Sequence, residues 1–592
     1  MDTTAMRTEP DRHGVIGLSY SAHMGDLDQL PAEYPLTFTR EAVERGLHIE
    51  GHLLTAGEER TLRRWLSLPD EAAHAYARVI ARERQPVRID GFSPPGFEDL
   101  NAALDTLEAE GFVDRGDAVP WSLQIKAMRV GELKTICAAR GLSTRGRQLD
   151  LQERIADQRA HTGLDVLAPR HRGLFQRLIR AGNQSHSSDL TKVILAEIGV
   201  RRPAIYPVRP GIGRWKNRSA MRAYESAARW RFSTPLSGDL LADIDAGLKR
   251  DGLRVTLESH QMRFSAGRQI AEGLAVRLRK AEGTYEASQL VERYRKLAAA
   301  VPDSTHDVSY RLALVLERAG LVEDAKQICR LGLCDTIDGI RFARTGRRIA
   351  RSTGGSEDFP EVTKLSVDRT VELPHARSGR AWTLEGEKAV SIERAVADWL
   401  SVHGRKTIRS ENDLWTTLFV LLYEPVFFAD IPGSWPAPFL ARPTDLGLPS
   451  FVERRRNQID FRHKEFETKE PGTLLTQAWN ARFGQRISGV HWNRWHLNDL
   501  VNIVNTLGVV ALRAVLEPFL HQWRRAARGL PDLVLLPGQS QPIGGTELSC
   551  DLTFVEVKGP GDSIRDAQRW WLAVLRDAGI RAEVWRVNPA QG

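Results

Sequence analysis

At 592 residues the chain is long enough for roughly three to five domains. Its 83 Lys and Arg against 75 Asp and Glu give a net charge of +8 and a pI near 9.3, a balance suited to a polyanionic partner, and a hydrophobic share of 42% suffices for well-formed cores and excludes a purely disordered chain. Cys137, Cys329, Cys334 and Cys550 fall in no metal-ligand spacing and are too sparse for a disulfide framework. The N-terminus is charged, and no apolar run approaches the roughly 18 residues of a membrane span, so the expectation is a soluble, intracellular protein, cytoplasmic or nucleoid-associated in a bacterium and nuclear in a eukaryote.

In chain order, residues 1–35 are polar and predict a flexible tail. Helical periodicity from Leu53 to Arg84 and from Phe97 to Phe112 predicts a helical or winged-helix-like domain over 36–118. Residues 119–160 resemble a SAP module, two short helices broken at Gly141-Leu142 and Gly146, whose Lys134, Arg140, Arg145 and Arg147 would face a duplex backbone. A helical, tetratricopeptide-like region is predicted for 161–389, with helix pairs over Thr284–Val301 and Val308–Leu331. Inside it, nine Lys or Arg between Arg201 and Arg231, Arg214 and Lys216 among them, alternate with Tyr206, Trp215, Tyr224 and Trp230 as a groove for phosphates and unstacked bases requires. Further on, Arg341, Arg344, Arg347, Arg348 and Arg351 crowd one predicted helix; like charges so close repel unless an anion lies among them, and a terminal phosphate is the sharpest candidate.

The richest segment is C-terminal. Leu533–Leu536 and Leu552–Val557 are short apolar runs bounded by turn residues and predict two strands; a helix with Ile564, Ala567, Gln568, Trp571 and Leu575 on one face and a last strand over Ala582–Val587 follow. Alternation puts Leu552, Phe554, Glu556 and Lys558 on one strand face, where burying two charges is costly unless a divalent cation shared with Asp532 compensates. Phosphodiester hydrolysis needs such a trio: hard oxygen ligands for Mg²⁺ or Mn²⁺, and an ammonium for the scissile phosphate. Upstream, Ser410 and Asp413 predict a capping-box-like helix start, with Glu411 in its first turn.

The run Gly529-Leu530-Pro531-Asp532, Glu556-Val557-Lys558-Gly559-Pro560 and Gln568 resembles the VRR-NUC branch of the PD-(D/E)XK nuclease superfamily. With the SAP-like and helical regions ahead of it, the whole is similar to the Fanconi-associated nuclease family. That resemblance implies an α/β restriction-endonuclease-like domain over 390–592, after mostly α-helical N-terminal and repeat regions. It implies catalytic roles for Lys558, Glu411, Asp532, Glu556 and Gln568, and metal ligation by Glu411, Asp532, Glu556 and Val557. It implies Mg²⁺- or Mn²⁺-dependent cutting of 5′ flaps and 5′ to 3′ degradation in interstrand-crosslink repair, on branched or flapped DNA. No Cys/His cluster resembles the ubiquitin-binding zinc finger of animal members, which favours a bacterial-type form. The alternatives are a restriction-like or junction-resolving nuclease and a non-catalytic DNA-binding scaffold.

Overall fold

The computed structural model describes residues 34–82, 85–157, 163–182, 202–207, 215, 217–233, 239–250, 253, 265–301, 307–334, 337–354, 359–362, 365–374, 376–378, 381–383, 388–435, 440–538 and 550–589. The expected tail falls outside them, apart from its last two residues, which open the helix Tyr34–Glu50. The chain divides into two compact units, one of residues up to 203 with 207–218 and 435–440, the other of 204–206, 219–434 and 441–592.

In the first unit, the helices Tyr34–Glu50, Ala56–Leu66, Asp70–Ala81 and Leu100–Ala109 surround a core in which the Phe175 ring meets Trp65 at 5.1 Å and Tyr76 at 4.9 Å. Strands β1 (Val87–Arg88), β2 (Val113–Arg115) and β3 (Val166–Pro169) form an antiparallel sheet in the order β1-β3-β2. The SAP-like helices, Val130–Ala139 and Gln148–Ile155, lie in the connection from β2 to β3 and pack on their own small core of Leu133, Cys137, Leu151 and Ile155. This moves the boundary placed at 161. β3 is the central strand, so β1 and β2 have no ladder partner without it, and Leu167, Leu174, Phe175 and Leu178 complete the first core instead of opening the helical region.

The second unit begins with stacked helices, among them Ala287–Ala300, Val308–Arg318, Val322–Leu331 and Ile337–Ser352, each packed on the next as the helix-pair expectation requires. Trp230 corrects the reading of the basic-aromatic run. It is buried between Gly247 and Gly273, where an added Cβ would stand 2.7 Å from the indole, and Arg277 lies 4.1 Å from its ring centroid. Trp215 is likewise buried, so neither indole is offered to an unstacked base. Arg214 and Lys216 lie outside the described residues.

Among the described residues the C-terminal sheet has five strands, β4 (Arg369–Leu373), β5 (Thr407–Arg409), β6 (Leu533–Leu535), β7 (Thr553–Lys558) and β8 (Ala582–Pro589), ordered β4-β8-β7-β6-β5. β6 runs antiparallel to both its neighbours, β5 and β7, and β7-β8-β4 run parallel. Because β4 is the edge partner of β8, the nuclease sheet starts before residue 390, where the domain was expected to begin. Val555 and Val557 pack with Leu533, Leu535 and Trp585 against the helix Ile392–Val402. On the opposite face Phe554 meets Trp415 at 5.2 Å. Both faces of β7 are therefore covered, and every one of its residues is buried. The long apolar segment Leu497–Ala526 is two helices merged across Gly508 (φ 72°), with Leu500, Ile503, Val504, Leu512 and Phe519 in the interior, as befits core helices.

Candidate active site

Strand register assembles the site. Leu533 pairs with Val555 across β6 and β7 and with Arg409 across β6 and β5, so one step further Asp532 stands opposite Glu556 on one side and Ser410 on the other. Opposed residues of antiparallel strands share a face, which puts the two carboxyl groups together. Asp532 Oδ2 accepts from Val557 N at 2.9 Å, and the Asp532 carbonyl accepts from Ser410 N at 2.8 Å and Glu411 N at 3.1 Å.

Glu556 carries a specific set of donors. Lys558 Nζ and Gln568 Nε2 both donate to its Oε1 at 2.5 Å. Oε2 is buried and receives no hydrogen bond from any described residue. Burial, and then the neighbouring Asp532 charge, push the Glu556 carboxyl up to about 8; Asp532 is raised to about 6, again chiefly by burial. Gln568 reaches the site because its helix, Asp566–Asp577, starts beside β7, and its Oε1 accepts from Arg565 N at 2.9 Å, closing the first turn.

Glu411 departs from its predicted setting. Ser410 Oγ donates to Pro531 O at 2.9 Å and caps nothing, the helix Asp413–Leu422 starts two residues later, and Glu411 occupies a left-handed turn at φ 37°. A non-glycine residue held there costs on the order of 1 kcal/mol, a strain that clusters at functional sites. Its backbone is tied to Asp532, while its carboxylate, less than half exposed, lies 3.8 Å from Arg409. Among the described residues no three His, Cys, Asp or Glu side chains converge as a ready-made metal cage. The structure thus brings Asp532, Glu556, Lys558 and Gln568 into direct contact and keeps Glu411 beside them. A divalent cation fits this donor set: two buried carboxyl groups face one another, and one buried oxygen lacks any donor.

The arginines of Ile337–Ser352 have acidic neighbours far away in sequence. Arg341 bonds Asp307 at 2.9 Å and lies 4.0 Å from the Tyr310 ring centroid; Arg348 is paired with Glu317, Arg344 with Asp566, and Arg347 lies 3.7 Å from Glu361. The anions among these charges are therefore carboxylates of the protein itself. Sequence reasoning missed the rest of the basic surface. A cavity of about 1040 Å³ is lined by nine arginines, Arg268, Arg442, Arg524 and Arg528 among them with Arg341, against Asp307, Asp338 and Asp566. Those arginines are scattered over three hundred residues, and the local charge clustering that revealed 341–351 gives no signal for them. Lys134, on the first SAP-like helix, and Arg145 and Arg147, in the loop that leads into the second, are all exposed.

Residues 469–589 match the VRR-NUC domain and residues 124–159 the SAP domain. The matched VRR-NUC stretch takes in β6, β7, the helix Asp566–Asp577 and β8, and so holds Asp532, Glu556, Lys558 and Gln568. Proteins to which the chain is similar include Fanconi-associated nuclease 1 homologues. That of Arabidopsis thaliana is 22% identical over 590 aligned residues, 91% of this chain and 65% of that protein. That of Pseudomonas aeruginosa is 24% identical, covering 90% of this chain and 93% of its own length, and a rice homologue is 32% identical over 31% of this chain and 19% of its own. The crystal structure of paFAN1 bound to 2nt 5′ flap DNA with a gap superimposes with a TM-score of 0.78 at 22% identity, over 95% of this chain and 100% of that one.

Proposed function

We propose that this chain is a structure-specific nuclease that cuts 5′-flapped or branched DNA and degrades strands 5′ to 3′, inside the cell, in the repair of interstrand crosslinks. The observation that carries the hydrolytic reading is the buried Asp532–Glu556 pair, with Lys558 and Gln568 both on Glu556 Oε1. Asp532, Glu556 and Val557 would hold Mg²⁺ or Mn²⁺, with Glu411 next to them. When bound, such a cation polarises a phosphoryl oxygen and lowers the pKa of water. The protein's part is positional. Val557 N fixes the Asp532 carboxylate, and Lys558 and Gln568 occupy Glu556 Oε1, which leaves Oε2 for ligation. The Lys558 ammonium, held beside the carboxylates, offsets charge that develops on the scissile phosphate.

Flap preference is supported by the arginine-lined surfaces of the same unit and by the likeness to a protein crystallised on 5′ flap DNA. The deciding experiment compares end-labelled 5′-flap, 3′-flap and four-way-junction DNA with Mg²⁺, Mn²⁺ or EDTA. Selective, EDTA-sensitive cutting of the 5′ flap is expected. Equal cutting of all three would favour the junction-resolving alternative, and no cutting with either metal would leave a DNA-binding scaffold. A 5′-phosphate and a 5′-hydroxyl flap cut by wild type and R344A/R348A then test the terminal-phosphate role of Arg341, Arg344, Arg347 and Arg348; equal loss on both substrates removes it.

A further inference from the structure

Two cationic side chains stand at the candidate site, and they are held differently. Lys558 Nζ is committed to Glu556 Oε1 at 2.5 Å. Arg409 is the last residue of β5, and its ladder partner Leu533 directly follows Asp532. Arg409 Nη2 lies 3.8 Å from Glu411 Oε1, too far for a hydrogen bond, and Arg409 forms no other ion pair among the described residues. A guanidinium kept only to balance a carboxylate would close on it as a fork, at about 2.7–2.9 Å. Here the fork stays open, and Arg409 Nε is buried without a hydrogen-bond partner. The two side chains are 39% and 43% exposed, so this is a loose, hydrated contact that costs little to break.

Glu411 is positioned by its backbone instead. Its left-handed turn at φ 37°, with Ser410 N and Glu411 N both bonded to Asp532 O, keeps its Cα beside Asp532 whichever way the carboxylate points. We infer that Arg409 and Glu411 exchange partners on loading: Glu411 leaves the guanidinium for a divalent cation shared with Asp532, and Arg409, released, takes a non-bridging oxygen of the phosphodiester being cut. A phosphodiester offers two such oxygens, which the planar fork engages together, whereas an ammonium acts as a point charge. Arg409 is then a catalytic residue in contact with substrate, beside Lys558 and not in place of it. Cation and substrate favour one another, because each takes up the partner that the other sets free. The exchange rests on the nuclease reading given above.

The test uses the full chain. In its first arm Mn²⁺ binding without DNA is read from the EPR signal of the free ion. R409Q is expected to bind Mn²⁺ about threefold more tightly than wild type, since nothing then competes for Glu411. E411Q is expected to bind Mn²⁺ more weakly, and adding R409Q to E411Q should bring no gain. In the second arm a labelled 5′-flap duplex is cut in single turnover at saturating protein and Mn²⁺. R409Q is expected to be slower by about tenfold, with R409K in between. The opposed signs separate this role from a structural one, which would weaken the metal and slow the reaction together. A third measurement leaves Arg409 untouched: E411Q, which frees the guanidinium, should bind the duplex in EDTA more tightly than wild type, and R409Q/E411Q should lose that gain. Unchanged or weaker Mn²⁺ binding by R409Q, an equal gain in the E411Q background, or no gain in duplex affinity for E411Q would each overturn the exchange. A wild-type saturated rate for R409Q would overturn the substrate contact. Wild-type protein that binds Mn²⁺ and the duplex yet cuts nothing would refute the nuclease reading and with it the part of Arg409 in cutting, while the EPR arm would still decide the exchange.

Discussion

Glu556→Gln should stabilise the protein in the absence of divalent cations, and increasingly so as pH rises. The Glu556 carboxyl is displaced from 4.5 to about 8, which corresponds to roughly 5 kcal/mol between its protonated and ionised forms. The sign follows from proton counting. Between these two values the folded chain holds a proton that the unfolded chain has lost, so folding stability falls as pH climbs through this window and stays low above it. Glutamine fixes the neutral form and removes the decline, and Asp532, raised to about 6, loses its charged neighbour as well. In thermal unfolding with EDTA, the melting temperatures of wild type and E556Q should nearly coincide at pH 5 and separate by several degrees at pH 9, E556Q being the higher. Mn²⁺ at pH 9 should raise the wild type and leave E556Q almost unmoved, because a cation that binds the folded state alone stabilises it by mass action. Parallel curves from pH 5 to 9 would show that Glu556 is not held in the costly environment described here.

Three further outcomes are expected. D532A and K558A should each lower cleavage at least about a hundredfold while DNA affinity stays within a few-fold, as checked by single-turnover assays beside equilibrium binding. E411G and E411A both delete the carboxylate and should both raise the Mn²⁺ concentration for half-maximal rate. E411G should also be the more stable by about 1 kcal/mol in denaturant titrations, since glycine accepts φ 37° without strain. D445A should cost about 3–5 kcal/mol, because Arg455, fully buried and bonded to Asp445 at 2.7 Å, would be left as an unpaired charge; an unaltered urea midpoint would contradict this.

Much of the candidate site's geometry was legible because its parts are local. Glu556 and Lys558 are two apart on one strand, Gln568 sits in the first turn of the helix that follows, and Asp532 opens the neighbouring antiparallel strand. Glu411 was harder. A polar residue ahead of an apolar stripe reads as the first turn of a helix, and nothing local reports that the chain first makes a left-handed turn, tied to Asp532 from 121 residues away. The arginine helix was visible as charge, but its partners Asp307, Glu317 and Asp566 lie on or next to other helices, so whether protein or ligand neutralises it could not be read. Trp230 shows the same limit: aromatic spacing in a basic run is alike for a stacking platform and a core, and only Gly247 and Gly273, distant in sequence, settle which.

The attachment of the SAP-like module has a topological consequence. Arg115 and Leu167 are ladder partners on β2 and β3, so the chain leaves and re-enters the sheet at points about 5 Å apart. A segment whose two ends are already neighbours is a closed insertion, and this one is also seated on its host: Val119 packs with Val166 and Ala168 of β3, and Arg88 of β1 donates to Glu132 at 2.8 Å. Double tethering also confines the module to a short radius around that sheet, unlike an arm at a chain end. Whatever surface the module presents is therefore held in place by a hairpin-like root in the first unit.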